Sequence, residues 1–374
     1  MTDLNAHTSE VLMRICQSAD LQYADVCAGT GSDELIQFQW TGTANSSAAF
    51  AAPAGHRRYL VASITKPVVA MAVLQMVSDG HLRLNDRLCE LLPEFDVPQL
   101  RAITLRHLLT HSSGLPDMLP ENEQLRIDHA PREAFVSATA RCRPDFSAGT
   151  DCRYSSMGIA ALGAVLEKLS GKSSPNLIEQ NLFVPLGMQS SWLGLPDHAA
   201  DTLMPTVIPS QLPIWQDSSS SWNWNSRYWR TLGAPWGGLI TSAHDLGRFA
   251  RMMLNHGTAD STASTAHKQV LSPLVVDAAT QNQTEFMPDL SERTRRHQRW
   301  GLGWRLNWLN HAQVFCELLP ESTFGHWGAT GTMMWISRET GTWAVILTNM
   351  PYEQSSAPMQ RMSNRIASTL LSNL

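Results

Sequence analysis

Lysine is scarce in this chain: four residues stand against twenty-four arginines. Basic residues never gather into a long run, the densest stretch being Arg293 to Arg299, which reads as a solvated loop. With a formal charge of −5, this excludes a nucleic-acid partner. There is no stretch of about 18 consecutive apolar residues, so nothing is long enough to span a membrane. The six cysteines form no Cys-x-x-Cys pair and no dense framework, which excludes a zinc ribbon and a disulfide scaffold. They read as reduced, mostly buried thiols of a cytoplasmic protein. Met1 to Cys16 lacks a basic segment followed by an unbroken apolar one; it reads as an amphipathic helix on Val11, Leu12 and Ile15, not as a secretory signal. What remains is the composition of a globular protein, 43% hydrophobic and 16% charged, with 374 residues, enough for two lobes.

One of the four lysines stands out. Ser63-Ile64-Thr65-Lys66 puts a hydroxyl and an amine three residues apart, close to one helical turn, so both side chains share a face. The run from Pro67 to Val77 is apolar nearly all round, the pattern of a buried helix, and Pro67 fits only near its start. Burial and the positive end of a helix dipole both disfavour the ammonium form of Lys66. A serine hydroxyl becomes a nucleophile when such a base takes its proton. No other lysine has a serine three residues upstream.

Along the chain, Gln22–Ala28 and Leu35–Trp40 read as a hairpin around Gly29-Thr30-Gly31-Ser32-Asp33. Thr104 to His111 is a short capped helix, and Tyr154 to Ser170 a longer one ended by Gly171. The segments 302–308, 313–318, 331–337 and 343–349 have strand character, with Arg338-Glu339-Thr340-Gly341 as a tight turn. A closing helix runs from Pro358. Strands at both ends with helices between predict an α/β (α+β) fold: an antiparallel sheet built from both termini, flanked by helices, with an inserted mainly helical lobe. The expected division is 1–62 with 241–374 as the sheet domain and 63–240 as the helical lobe, the site lying at their junction.

Further motifs follow in order. Tyr154-Ser155-Ser156 opens the second long helix and can deliver a phenol and a hydroxyl to a cleft. Trp236-Gly237-Gly238-Leu239 precedes a helix at Thr241 to Met253, and Phe324 to Gly331 carries His326-Trp327-Gly328 on a glycine-rich strand. The order Ser-x-x-Lys, His-Leu-Leu-Thr-His-Ser-Ser-Gly-Leu, Tyr-Ser-x, Gly-Gly-Leu and His-x-Gly resembles the serine β-lactamase and penicillin-recognising superfamily. The likeness runs from about Tyr59 to Asn349, and is nearest to the branch of class C β-lactamases, D-stereospecific peptidases and family VIII carboxylesterases. It implies a β-lactamase/transpeptidase-like fold, a nucleophile at Ser63, a proton-handling Lys66 and a tyrosine partner at Tyr154. It also implies an oxyanion hole from the backbone N–H groups of Ser63 and Ala329, and a cleft lined by Ser156, Trp236, His326, Trp327 and Gly328. The chain departs from many β-lactamases at two points. Ser156 replaces an asparagine that grips the substrate amide, and His326, a weaker cation near neutral pH, replaces the lysine of Lys-Thr-Gly.

Other signals have blander readings. His107 and His111 are four apart but lack the Glu of a His-Glu-x-x-His zinc motif, so both read as structural. Glu167 beside Lys168 reads as a solvent-exposed helix position. The five tryptophans from Trp215 to Trp236 form either the small core of a loop or an apolar acyl pocket. The expected function is a serine hydrolase working through an acyl-enzyme, a carboxylesterase on small apolar acyl esters, with no metal and no organic cofactor. Its partner is a small ester or amide. The rivals are a β-lactamase or D-peptidase, and a non-catalytic scaffold of the same fold.

Overall fold

The computed structural model describes residues 2–42, 57–196, 198–199, 203–208, 221–260, 268–308 and 314–372. Among the described residues the strands are β1 (Tyr23–Thr30), β2 (Asp33–Thr41), β3 (Tyr59–Leu60), β4 (Trp192–Leu193), β5 (Leu239–Thr241), β6 (Arg305–Leu306), β7 (Phe324–Gly328), β8 (Thr332–Ser337) and β9 (Thr342–Thr348). Six of them make an antiparallel sheet in the order β2-β1-β9-β8-β7-β6, and β3-β5-β4 make a smaller one. The first two strands come from the N-terminal end of the chain and the rest of the large sheet from the C-terminal end. The principal helices are α1 (Thr2–Ser18), α2 (Thr65–Ser78), α3 (Ser156–Ser170), α4 (Ala243–Leu254) and α5 (Tyr352–Leu371).

Residue patterning explains the layering. β9 is buried at every position, as a central strand covered on both faces must be, whereas β2 alternates exposed and covered side chains as an edge strand does. Alternation then sorts the core. Ala344 and Ile346 of β9, with Met333 and Trp335 of β8, face α1 and α5. Trp343, Val345 and Leu347, with Met334 and Ile336, face α4 and the helical lobe. In α2, every residue from Thr65 to Leu74 is buried, as its all-round apolar sequence requires.

The hairpin, the capped helix at Leu105–Leu109 and the turn at Arg338–Gly341 form where the sequence places them. Three elements differ. Of 302–308 only Arg305–Leu306 pairs as a strand. Of the strand expected at 313–318, residue 313 lies outside the described residues and 314–318 join no ladder: the Asn307 side chain binds two of their backbone groups and Asn364 Oδ1 accepts from Glu317 N (3.0 Å). The Asn307 amide nitrogen donates to Cys316 O (3.0 Å) and its oxygen accepts from Phe315 N (3.2 Å). The closing helix starts at Tyr352, six residues before Pro358, which it accommodates inside. Among the described residues, no helix is long and apolar enough to cross a membrane.

Candidate active site

Ser63 lies in a short 3-10 turn, Ala62–Ile64, between β3 and α2. Ala62, just before it, has φ +45°, a left-handed conformation in which a side chain is strained. The surrounding hydrogen bonds hold that turn in place. Val61 N donates to Leu239 O (3.0 Å), Thr332 Oγ1 donates to Val61 O (3.0 Å), and Thr330 Oγ1 donates to Leu60 O. A Cβ at Gly328 would sit 2.1 Å from Val61 O, so the close approach of β7 to this segment requires glycine. Ala329 is exposed in the turn after β7, and its carbonyl accepts from Tyr352 N at 2.9 Å.

Lys66 is the second residue of α2 and only 1% exposed. Its Nζ donates to Trp236 O (2.7 Å), lies 3.1 Å from Ser63 Oγ, and sits 4.7 Å from the centre of the Tyr154 ring. Burial pushes its pKa from 10.5 down to about 7, with the Asp117 carboxylate pulling the other way. A large share of Lys66 is therefore neutral near pH 7, with a lone pair available to the serine hydroxyl. Tyr154 precedes α3, whose N-cap Ser155 accepts from Gly158 N (2.9 Å). The Tyr154 hydroxyl is buried beside that of Ser63. Burial and the negative Asp117 hold it as a phenol, against a smaller pull from the neighbouring Ser63 hydroxyl.

His326 differs from its expected character. Burial, with the Lys66 charge adding to it, pushes its pKa down to about 3, so it is not even a weak cation at neutral pH. Its Nδ1–H donates to Trp327 O (2.7 Å), which leaves Nε2 as a buried acceptor with no partner. Trp327 leaves the cleft. Alternation along β7 turns it to the α5 side, where it stacks on Tyr352 at 5.4 Å and packs on Phe315 at 5.5 Å. Ser156 is committed elsewhere too. Its hydroxyl donates to Asp117 Oδ1 (2.6 Å), and its N–H donates to the same oxygen (3.0 Å).

Trp236 contributes its carbonyl to Lys66, while its ring is buried against Phe135 and Trp229. Trp222 and Trp229 enclose the Arg126 guanidinium, 4.4 Å from each ring, and both are buried in the main apolar core. Trp215 lies outside the described residues. The two histidines work separately: His107 Nδ1 accepts from Thr104 N in a helix cap (3.2 Å), and His111 Nδ1 accepts from Ser155 N (3.1 Å). Glu167 is half-buried and not solvent-free; it pairs with Arg132 at 3.2 Å and accepts from Ser174 N at 2.8 Å.

Sequence reading missed several neighbours of the site. Asp117 bridges Ser156 and the field at Lys66. Trp300 packs edge-on against His111 (4.3 Å) and stacks near Tyr154 (5.9 Å). Arg305 places its guanidinium over Trp300 (5.3 Å) and Trp327 (4.4 Å), and no carboxylate neighbours it among the described residues. These residues sit in loops and an edge strand, where no periodicity marks them. His111 was inside a quoted motif but was read only as structural. Among the described residues, the one group of three metal-ligating side chains that converges, Cys27, Glu34 and His244, lies away from Ser63 on the hairpin side of the sheet.

A profile of the Beta-lactamase family matches residues 25–368. Penicillin-binding protein 4 of Amycolatopsis lactamdurans is 30% identical over 77% of this chain and 71% of its own length. Esterase EstB of Burkholderia gladioli is 26% identical over 80% of this chain and 79% of its own. The crystal structure of a penicillin-binding protein homolog from Caulobacter crescentus superposes with a TM-score of 0.78. It covers 98% of both chains at 20% identity.

Proposed function

The chain belongs to the Beta-lactamase family, and from that premise we propose that it is a serine hydrolase passing the acyl group of a small ester through a covalent intermediate on Ser63. One observation carries the reading: a fully buried Lys66 whose amine is 3.1 Å from Ser63 Oγ and whose pKa is about 7. In the proposed reaction Lys66 takes the Ser63 proton as Oγ attacks the acyl carbonyl, and the carbonyl oxygen becomes an oxyanion facing the N–H groups of Ser63 and Ala329. Each such donor contributes about 3–4 kcal/mol to the transition state. Tyr154, whose phenol is adjacent, gives its own proton to the leaving alcohol; the phenolate so formed, beside the Lys66 ammonium, takes a proton from the water that releases the acid, and Lys66 then returns its proton to the departing Ser63 oxygen. The chemistry needs no metal or organic cofactor. The esterase among the relatives and the neutral His326, which offers an acceptor instead of a cation, support an ester substrate over a lactam carboxylate.

A second reading has its own observation. Arg305, a cation without a carboxylate partner among the described residues, exerts its charge on Tyr154 and His326. That charge favours acyl donors bearing a carboxylate, the chemistry of D-alanyl peptides and β-lactams. We also propose that 1–62 with 241–374, and 63–240, are the two lobes between which the site lies.

The test is labelling with a fluorophosphonate, followed by turnover of a short p-nitrophenyl ester, nitrocefin and a D-alanyl amide. The expected result is one label per chain on the Ser63 peptide, with the ester turned over fastest. Ser63→Ala should remove the label and lower turnover by roughly 10³ or more. Ester turnover at the native rate by that variant removes Ser63 as nucleophile, and a preference for nitrocefin or the amide replaces the esterase reading by the second one.

A further inference from the structure

The β1–β2 hairpin is not regular. Register slips between Ala28 and Gly29, so that Glu34 stands opposite Gly29 and Leu35 is skipped. Without that bulge, Glu34 shares the parity of Ile36, whose side chain is buried on the α1–α5 face. The bulge turns Glu34 to the opposite face, where Cys27 and α4 are; re-aiming a side chain is a common use of a bulge. On the same face, His244 projects from the first turn of α4, and its Nδ1 is 2.9 Å from Glu34 Oε2. Gly247, one turn further on, lets Cys27 come close, for a Cβ there would sit 3.1 Å from Cys27 Sγ.

Three elements thus bring a thiol, a carboxylate and an imidazole together, with their donor atoms all within 4.8 Å of one another. The cluster lines a cavity of about 470 Å³ bounded also by Gln37, Ser242 and the Asp25–Arg57 ion pair. We propose that Cys27, Glu34 and His244 form a binding site for a divalent transition ion of the zinc type, with water from the cavity as fourth ligand.

The donor set selects the ion. Sulfur and imidazole nitrogen exclude magnesium and calcium, while Cys, His and a carboxylate are all zinc ligands. Metal–donor bonds near 2.0–2.3 Å place tetrahedral donors about 3.3–3.6 Å apart, so the widest separation contracts by up to about 1.5 Å while the Glu34–His244 pair opens slightly. The Glu34–His244 hydrogen bond is replaced by shared ligation. As the metal–sulfur bond forms, the Cys27 S–H bond breaks and its proton leaves to solvent. Arg251 Nη1 is 3.5 Å from Glu34 Oε2 and is itself engaged with Asp260. It opposes the ion's charge but orients the carboxylate, as groups around metal ligands commonly do. Asp25 is taken by Arg57 (3.2 Å) and Gln39 (3.4 Å) and stays outside the set. A bound ion ties the bulged hairpin to α4, at the opposite edge of the sheet from β7 and β6.

Titrating the chelator-treated full chain with Co²⁺ tests this directly. The expected result is one equivalent bound with a thiolate-to-cobalt absorption band, displaced by Zn²⁺. Cys27→Ser should abolish the band. His244→Gln, at a side chain 47% exposed and safe for folding, should weaken binding about tenfold or more while ester turnover stays unchanged. Zn²⁺ should raise the melting temperature of the native chain and not that of His244→Gln. The site does not exist if the native chain shows no thiolate band at one equivalent, if the band persists in Cys27→Ser, or if His244→Gln binds as tightly as the native chain.

Discussion

At Lys66 burial and charge pull in opposite directions, and the balance sets the protonation state on which the proposed chemistry depends. Desolvation lowers the pKa to about 7, and Asp117 keeps it from falling further. If Lys66 takes the serine proton, kcat/KM for the ester rises with pH along a limb centred near 7, as the amine loses its proton. Asp117→Asn keeps an acceptor for the Ser156 N–H and hydroxyl but removes the charge that favours the ammonium. The limb should then move to lower pH, measured by initial rates between pH 5 and 9. A limb that stays put or moves up means that Asp117 does not act on Lys66. The same shift has a stability consequence. Because the folded value lies below 10.5, the unfolded chain binds more protons between about pH 7 and 10.5, and Lys66 makes the fold more stable as pH rises through that window. Ser63, Lys66 and Tyr154 were legible because they ride on motifs at helix starts. Asp117 was not: a loop carboxylate six residues after His111 leaves no periodic trace, and its importance comes only from the fold that sets it against Ser156.

Strand β7 shows what alternation adds to a motif. His326-Trp327-Gly328 reads as one block lining a cleft, yet period two sends His326 to the Tyr154 side and Trp327 to Tyr352. Gly328 matters for the absence of a side chain. With Val61 O 2.1 Å and Thr332 Oγ1 2.4 Å from where its Cβ would be, Gly328→Ala pushes β7 off the turn that carries Ser63 and separates the Ser63 and Ala329 amides. Loss of one aligned oxyanion donor costs about 10²–10³ in kcat. The variant should show that loss, with slower labelling by the fluorophosphonate and its circular dichroism kept. Full activity in Gly328→Ala would remove the close approach of β7 from the mechanism. The elements that were legible, the hairpin, the buried α2 and β8–β9, are those whose burial repeats with a regular period. Residues 314–318 look like a strand in composition but spend backbone groups on Asn307 and Asn364, a side-chain competition that hydropathy does not register.

Across the whole molecule the two proposed lobes do not each have a core of their own. A single apolar cluster runs from Cys27 of β1 through α2, the buried residues of α3 and the tryptophans at 222, 229 and 236, and on to Val345 and Leu347 of β9. A second cluster on the other face of the sheet joins Leu12 and Cys16 of α1 to Met362 and Ile366 of α5, and it shares the strands of the first. The α2 helix that carries Lys66 is packed against both lobes, so neither can lose its structure without exposing residues that the other buries. The proposed boundaries at 62/63 and 240/241 then do not divide the chain into units that fold alone. Unfolding of the 63–240 lobe and of the sheet should accordingly occur together. Hydrogen exchange by mass spectrometry along a urea series checks this with peptides from Ser156–Ser170 and from Thr342–Thr348. Both should reach the same slow, denaturant-dependent exchange with one midpoint. Earlier release of the α3 peptide would mean that the helical lobe opens by itself. The geometry joining Ser63 to Ala329 would then depend on contacts between separately folding parts, and the continuous core would not be what holds the site together.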